Sequence, residues 1–298
     1  MSSQDITQRF LFEHADVRGE LVALNESYRE ILARHDYPEP VKGLLGEMLA
    51  AAVLLSTAIK FDGVLIMQAR SSGPVSLLMV ECSSQQEVRG IARYSDDLGA
   101  GELSADGLSE LMPEGVLAIT IEPAKGQRYQ GVVTLEGDTL AESLAGYFDS
   151  SEQLPSRFRL LADGRTARGF MLQALPSDRQ SDPAERAESW NRLSTLADTL
   201  TVEELMALDN QTILHRLYHD EEVRMFDERA VSFRCSCSAE RSGGALVSLG
   251  EEDAVRLLEE QGGEIEVDCQ FCNTCYRFDK AALTELFDKA REYAQSLH

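Results

Sequence analysis

From Arg9 to about Pro176 the chain alternates apolar runs of strand length with a few helical blocks. The runs at 63–70 (GVLIMQAR), 75–82 (VSLLMVEC) and 88–94 (VRGIARY) are separated by short polar or glycine-containing stretches, the pattern of neighbouring antiparallel strands. Residues 116–122 and 130–135 repeat it. Helices are predicted at 27–35, at 41–60 behind Pro38 and Pro40, and at 140–148. Strands grouped with inserted helices predict an α+β core domain over residues 1–176 with an antiparallel sheet.

After Pro176 the composition turns polar and charged (SDRQSDPAERAES), which marks a boundary, and Asp182-Pro183 is a helix start. Trp190, Leu193, Leu196, Ala197 and Leu200 then share one helical face. A second block, 201–218, opens with Thr201 and Glu204 in capping-box spacing and repeats Leu205, Leu208, Leu214 and Leu217. Two amphipathic helices must lean on something, so 177–231 is expected to be a linker that docks, with docking open to regulation. The remainder, 232–298, contains a predicted helix at 251–261, a strand at 264–267 and a final helix from about Lys280.

That last region carries the chemistry. Cys235 and Cys237 form one close pair and Cys269 and Cys272 another, with 31 residues between the pairs and a fifth thiol, Cys275, three positions further on. Two sulfurs from each of two turns can meet in the tetrahedral four-thiolate geometry of zinc, with Zn–S bonds of about 2.3 Å. The same close pairs can also form local disulfides. The CxC ring is small, and its strain makes such a bond easy to reduce again. About 68 residues make a marginal core, whereas structural zinc supplies on the order of 10 to 16 kcal/mol in small fingers, so losing the metal is expected to unfold most of this region.

Composition narrows the partners. The 298-residue chain carries a formal charge of −23, which opposes phosphate binding. From Ser232 onward seven Lys and Arg face thirteen Asp and Glu, so even the cysteine region lacks the charge of a nucleic-acid finger. The start, MSSQDITQRF, shows no basic stretch followed by an apolar run, and the cytosol, where thiols are normally reduced, is the expected compartment. The most apolar stretch, 43–59, carries Glu47 and reads as a buried core helix rather than a membrane span.

Other signals have plain readings. His215 and His219 lie four apart on a predicted helix without further metal-binding pattern and are expected at the surface; His14 and His35 are isolated; Cys82, ending an apolar strand, is expected to be a buried structural thiol. No Walker loop, GxGxxG or GxSxG elbow occurs. A thiol–disulfide reductase would want its CxxC at a helix N-terminus in a βαβ setting, which the strand-and-turn context of Cys269 and Cys272 does not favour. A constitutive zinc-ribbon interaction module is the third class.

CSC at 235–237, CQFC at 269–272, GYFDSSEQLPSR at 146–157, GFMLQALP at 169–176 and the early RFLFEHADVRGELVAL together resemble the 33 kDa heat-shock family of redox-regulated chaperones over essentially the whole chain. The resemblance implies an α+β domain, a helical linker and a zinc switch domain. It implies a non-enzymatic holdase that is inactive while reduced and zinc-loaded. Oxidation forms disulfides, expels zinc and unfolds switch and linker, and an active, usually dimeric form holds unfolding clients without ATP until ATP-driven foldases take them. It assigns the zinc ligands to Cys235, Cys237, Cys269 and Cys272, and the disulfides to Cys235 with Cys237 and Cys269 with Cys272. Cys275 departs from the family pattern and, because Cys272 and Cys275 again stand in CxxC spacing, is an alternate ligand or disulfide partner.

Overall fold

The computed structural model describes residues 5–100, 107–176 and 182–296, the side chains of 293–296 excepted. The start of the expected linker, 177–181, lies outside the described residues. By contacts the chain divides into two compact units, Met1–Arg234 and Cys235–His298. The two amphipathic linker helices therefore belong to the first unit.

In chain order the first unit opens with β1 (Ile6–Phe12), β2 (Val17–Leu24), α1 (Glu26–Leu32) and α2 (Glu39–Ala58), then β3 (Gly63–Arg70), β4 (Val75–Ser83) and β5 (Glu87–Tyr94). Two short helical turns, α3 (Asp96–Gly99) and α4 (Leu108–Leu111), precede β6 (Val116–Pro123), β7 (Tyr129–Thr134), α5 (Leu140–Ser150), β8 (Ser156–Ala162) and β9 (Ala167–Ala174). The linker supplies α6 (Pro183–Asp198), α7 (Val202–Ala207) and α8 (Asn210–Tyr218), followed by β10 (Val223–Met225), β11 (Arg229–Ala230) and β12 (Ser232–Phe233). One six-stranded sheet runs β10-β1-β2-β9-β8 with β11 beside β1, and a second runs β12-β5-β4-β3-β6-β7. The expected α+β architecture is present, and the strands read from the sequence within residues 1–176 all lie in the second sheet.

α2 packs against strands of both sheets. Pro38 and Pro40 start it, and almost every side from Leu44 to Thr57 is buried. It is long and apolar enough to cross a membrane, but 78% of its most apolar window is covered by the fold. The hydroxyls of its last turn are satisfied locally: Ser56 and Thr57 donate to the carbonyls of Val53 and Leu54, each at 2.8 Å. Where β9 crosses α2, Gly169 has no alternative, because a Cβ there would meet Val22 at 2.8 Å and Leu54 at 2.9 Å. Asp5 caps α1 from twenty residues away, its carboxylate accepting from the amides of Asn25 (2.5 Å), Glu26 (2.9 Å) and Ser27 (2.6 Å).

The linker helices cover the outer face of the first sheet. Leu193, Ala197, Leu200, Leu205, Ile213, Leu214, Leu217 and Tyr218 share one apolar cluster with Phe10, Phe12, Leu21 and Phe170. Tyr218 stands edge-on to Phe12 at 4.9 Å and donates to the Leu193 carbonyl at 3.2 Å, tying α8 to both the sheet and α6. The expected caps are in place: Asp182 accepts from Ala184 ahead of Pro183, and Thr201 and Glu204 form a complete capping box. The block expected as one helix over 201–218 is two. Leu208 is extended, and Asp209 begins α8 by accepting from the Thr212 amide at 2.8 Å, so a new N-cap interrupts the helix.

The second unit holds α9 (Ala239–Leu249), α10 (Glu251–Glu260), β13 (Glu264–Asp268), β14 (Cys275–Asp279) and α11 (Lys280–Ser296). Among the described residues its buried core is seven, including Leu246, Ile265, Phe278 and Phe287, which is small for a self-sufficient fold. α9 was not legible in the sequence because two adjacent glycines sit in its middle; Gly243 packs under the Leu286 side chain of α11, whose methyls lie 2.6 and 2.7 Å from where a Cβ would stand.

Tyr218→Ala is expected to cost about 3 to 5 kcal/mol of docking energy, since it removes a buried ring and leaves a cavity. In hydrogen exchange, amides of α6 and α8 should open faster while α2 stays protected; uniform acceleration or no change would contradict this assignment of the contact.

Candidate metal centre

The centre is built from two short turns of the second unit. Cys235 and Cys237 lie in the irregular stretch before α9, with Ser236 turned outward between them. Ser238 then caps α9 by accepting from the Arg241 amide, and Arg241 donates back to the Ser236 carbonyl and hydroxyl at 3.0 and 2.7 Å, which fixes the course of the CxC turn. Cys269 and Cys272 come from the loop joining β13 to β14, antiparallel strands that pair from Glu264 with Asp279 to Asp268 with Cys275. The loop is closed by the Cys269 amide donating to the Thr274 carbonyl (2.9 Å) and the Asn273 amide donating to the Cys269 carbonyl (2.8 Å). Asn273 takes a left-handed φ of 58°, a conformation that asparagine tolerates better than most residues.

The four sulfurs of Cys235, Cys237, Cys269 and Cys272 lie within 4.8 Å of one another. The shortest separations run across the pairs, 3.6 Å from Cys235 to Cys269 and 3.4 Å from Cys237 to Cys272. Tetrahedral Zn–S bonds would place neighbouring sulfurs about 3.8 Å apart, so the donor set fits a thiolate-bound metal ion. Cys235, Cys237 and Cys269 are only partly buried, so an oxidant and a chelator can reach the group through them.

Local hydrogen bonding prepares the thiolates. Burial works against the Cys272 thiolate, but the Thr274 hydroxyl at 3.2 Å, the Thr274 amide and the thiols of Cys237 and Cys235 outweigh it and hold its pKa down to about 6. Burial pushes the Cys269 thiol up despite the backbone amides of Cys272 and Phe271. Tyr276 donates to the Cys237 sulfur at 3.1 Å. Thr274 and Tyr276 are functional neighbours that the sequence reading missed; the only available signal was their position just beyond the CxxC.

Cys275, the first residue of β14, is exposed and is not in the group of four. The Asp268 carboxylate beside it raises its pKa, and Arg277 acts the other way. Cys82 is fully buried with its thiol on the Ser56 hydroxyl at 3.2 Å, and burial pushes its pKa up to about 12, as expected of a structural cysteine. His215 and His219 stack at 6.2 Å but join no group of three donors among the described residues.

The chain is an α+β body with two sheets around one apolar helix and a small unit that gathers four cysteines able to hold a metal ion. The family model described as Hsp33 protein matches residues 5–279. The chain is 63% identical over 288 residues to the 33 kDa chaperonin of Pseudomonas paraeruginosa, covering 96% of each, and 62% identical over 293 residues to that of Ectopseudomonas mendocina, covering 98% of each. Its fold is similar to the crystal structure of the 33 kDa chaperonin (heat shock protein 33 homolog) from Thermotoga maritima, with a TM-score of 0.79 at 23% identity over 98% of this chain and 100% of that one. The chain belongs to the Hsp33 family of chaperones.

Cys237→Ser should abolish the thiolate charge-transfer absorption of the cobalt-substituted protein, and Cys275→Ser should leave it unchanged. Tyr276→Phe, which removes one hydrogen bond to a ligand sulfur, should weaken metal binding by about tenfold in chelator competition. Cobalt spectra insensitive to Cys237 would sink the assignment.

Proposed function

We propose that this protein is a cytoplasmic, redox-regulated holdase whose off state is held by zinc on Cys235, Cys237, Cys269 and Cys272. The observation that carries the reading is the meeting of four sulfurs within 4.8 Å in a unit with seven buried apolar residues among those described. Bound zinc would keep all four sulfurs as thiolates and contribute most of that unit's folding free energy.

Activation begins when a peroxide or hypochlorite oxidises one sulfur to a sulfenic acid. A neighbouring thiolate attacks it, the S–S bond forms, hydroxide leaves, and the two electrons end on the oxidant. Disulfides between Cys235 and Cys237 and between Cys269 and Cys272 consume all four ligands, and zinc is released. The unit then loses its main support and melts. β12 ends two residues before Cys235, so loss of order can spread along the chain into β10 and the linker, exposing the apolar faces of α6 and α8. Those faces hold unfolding clients without ATP, in a homodimer, until ATP-driven foldases take over in reducing conditions. Cys275, adjacent to this chemistry, serves as an alternate disulfide partner for Cys272.

The reductase alternative is disfavoured because Cys269 and Cys272 sit in a strand-to-strand loop, not at the start of a helix. A constitutive ribbon is distinguished by experiment. Suppression of an unfolding client's aggregation should rise after oxidation in step with zinc release measured in the same sample; equal protection before and after would refute the switch.

A further inference from the structure

Each sheet has one edge lined by short strands, β10 and β11 along β1 and β12 along β5, and one edge with no strand outside it among the described residues, β8 in the first sheet and β7 in the second. The β7 edge is the more exposed, with Val132 and Tyr129 standing out to solvent. Its ladder with β6 fixes which groups face outward. The Leu135 amide donates to the Gly115 carbonyl at 2.8 Å, so hydrogen bonds to β6 fall at Val133, Gly131 and Tyr129 by the antiparallel alternation. The amides of Gln130, Val132 and Thr134 and the carbonyls of Gln130 and Val132 therefore point away from the sheet. The Thr134 carbonyl is already taken by the Glu136 amide at 2.9 Å.

Beside this edge runs a groove of about 380 Å³, lined by β7 and one face of α5. The α5 side is made of small residues, Ser143, Gly146 and Ser150, with Tyr147 among them. A Cβ at Gly146 would touch nothing within 4 Å, so the groove has room for side chains. Tyr147 is held in place by donating to Glu152 at 2.7 Å, and its hydroxyl fits under β7 only because residue 131 is glycine, where a Cβ would meet that oxygen at 2.1 Å. Val132 is 60% exposed and Tyr129 48%, unusual for a strand with an open edge. The groove's charged lining residues are Glu136 and Glu142, with no Lys, Arg or His.

An edge strand beside a helix is the geometry in which extended peptides add as one more strand. We propose that the β7 edge and the α5 groove bind an extended segment of an unfolding protein, of alternating apolar residues and Lys or Arg. Backbone pairing to Gln130, Val132 and Thr134 reads no sequence, which suits varied clients, and the acidic lining selects for basic side chains. The chain's charge of −23 acts in the same direction. The edge is short, so it binds weakly alone; linked to apolar surface released from the linker, it adds to affinity by raising effective concentration. The inference rests on the holdase reading and names a second contact for the same clients.

The test uses the full-length, zinc-loaded protein and a peptide of alternating Val and Lys, with an Asp-for-Lys counterpart. Amide NMR signals of Gln130, Val132, Thr134 and Gly146 should move with the basic peptide, and the acidic one should bind at least about tenfold more weakly. Val132→Pro removes an outward donor but no bond to β6, a position where an edge strand accepts proline, and should weaken binding by about tenfold. If Val132→Pro does not fold, Val132→Lys keeps the ladder and repels the same peptide. Signals moving elsewhere, binding indifferent to these variants, or β7 signals that shift with protein concentration alone would overturn the proposal, the last by assigning the edge to self-pairing. In the oxidised state the variant should release zinc like the unaltered protein yet protect a basic client several-fold less well. Failure of the unaltered protein to protect after oxidation refutes the holdase reading, whereas equal protection by both proteins refutes only the β7 site.

Discussion

A helix without a polar side must be covered all round, and α2 imposes that condition on the first unit. From Leu44 to Thr57 it offers water almost nothing, so one sheet lies against each flank and the strands that touch it are pinned by close contact, as at Gly169. Everything outside this three-layer core is less deeply secured. The linker helices add a fourth layer on the outer face of the first sheet through one aromatic and leucine cluster centred on Phe10, Phe12 and Tyr218. The order of burial is also an order of expected persistence, since elements with fewer buried contacts open first.

The second unit stands at the far end of that order. Three helices and one β-hairpin surround seven buried apolar residues among those described, and the four sulfurs lie in turns rather than in that core. Such a unit suits a chemical latch, because what supports it is removable by a reagent that leaves the first unit's hydrocarbon core untouched. The partial exposure of Cys235, Cys237 and Cys269, and the hydrogen bonds that favour the Cys272 thiolate, make the group open to oxidants.

Legibility followed the range of the interactions. In the second sheet β3 to β7 were visible because each is joined to a neighbour by a short turn, whereas β12 reaches β5 only across the whole linker. The first sheet was not: β2 and β9 are buried on both faces, which erases the alternation that marks a strand, and they pair across some 150 residues, as in Arg18 with Gln173. The helix break at Asp209 was hidden inside a continuous leucine repeat, and α9 was hidden by its glycines.

The sequence by itself determined the cysteine pairs, the amphipathic linker with its caps at Asp182 and Thr201, the apolar helix and the strongly acidic balance, because each is a property of spacing or composition. Only the tertiary structure decided that the four sulfurs meet while Cys275 stays apart, that Asp5 caps a helix twenty residues away, and that β7 is left as an open edge beside a groove. Those outcomes depend on which distant segments come together, and the free energy that selects them is the burial of α2 and of the small second core, shared over the whole fold and carried by no local motif.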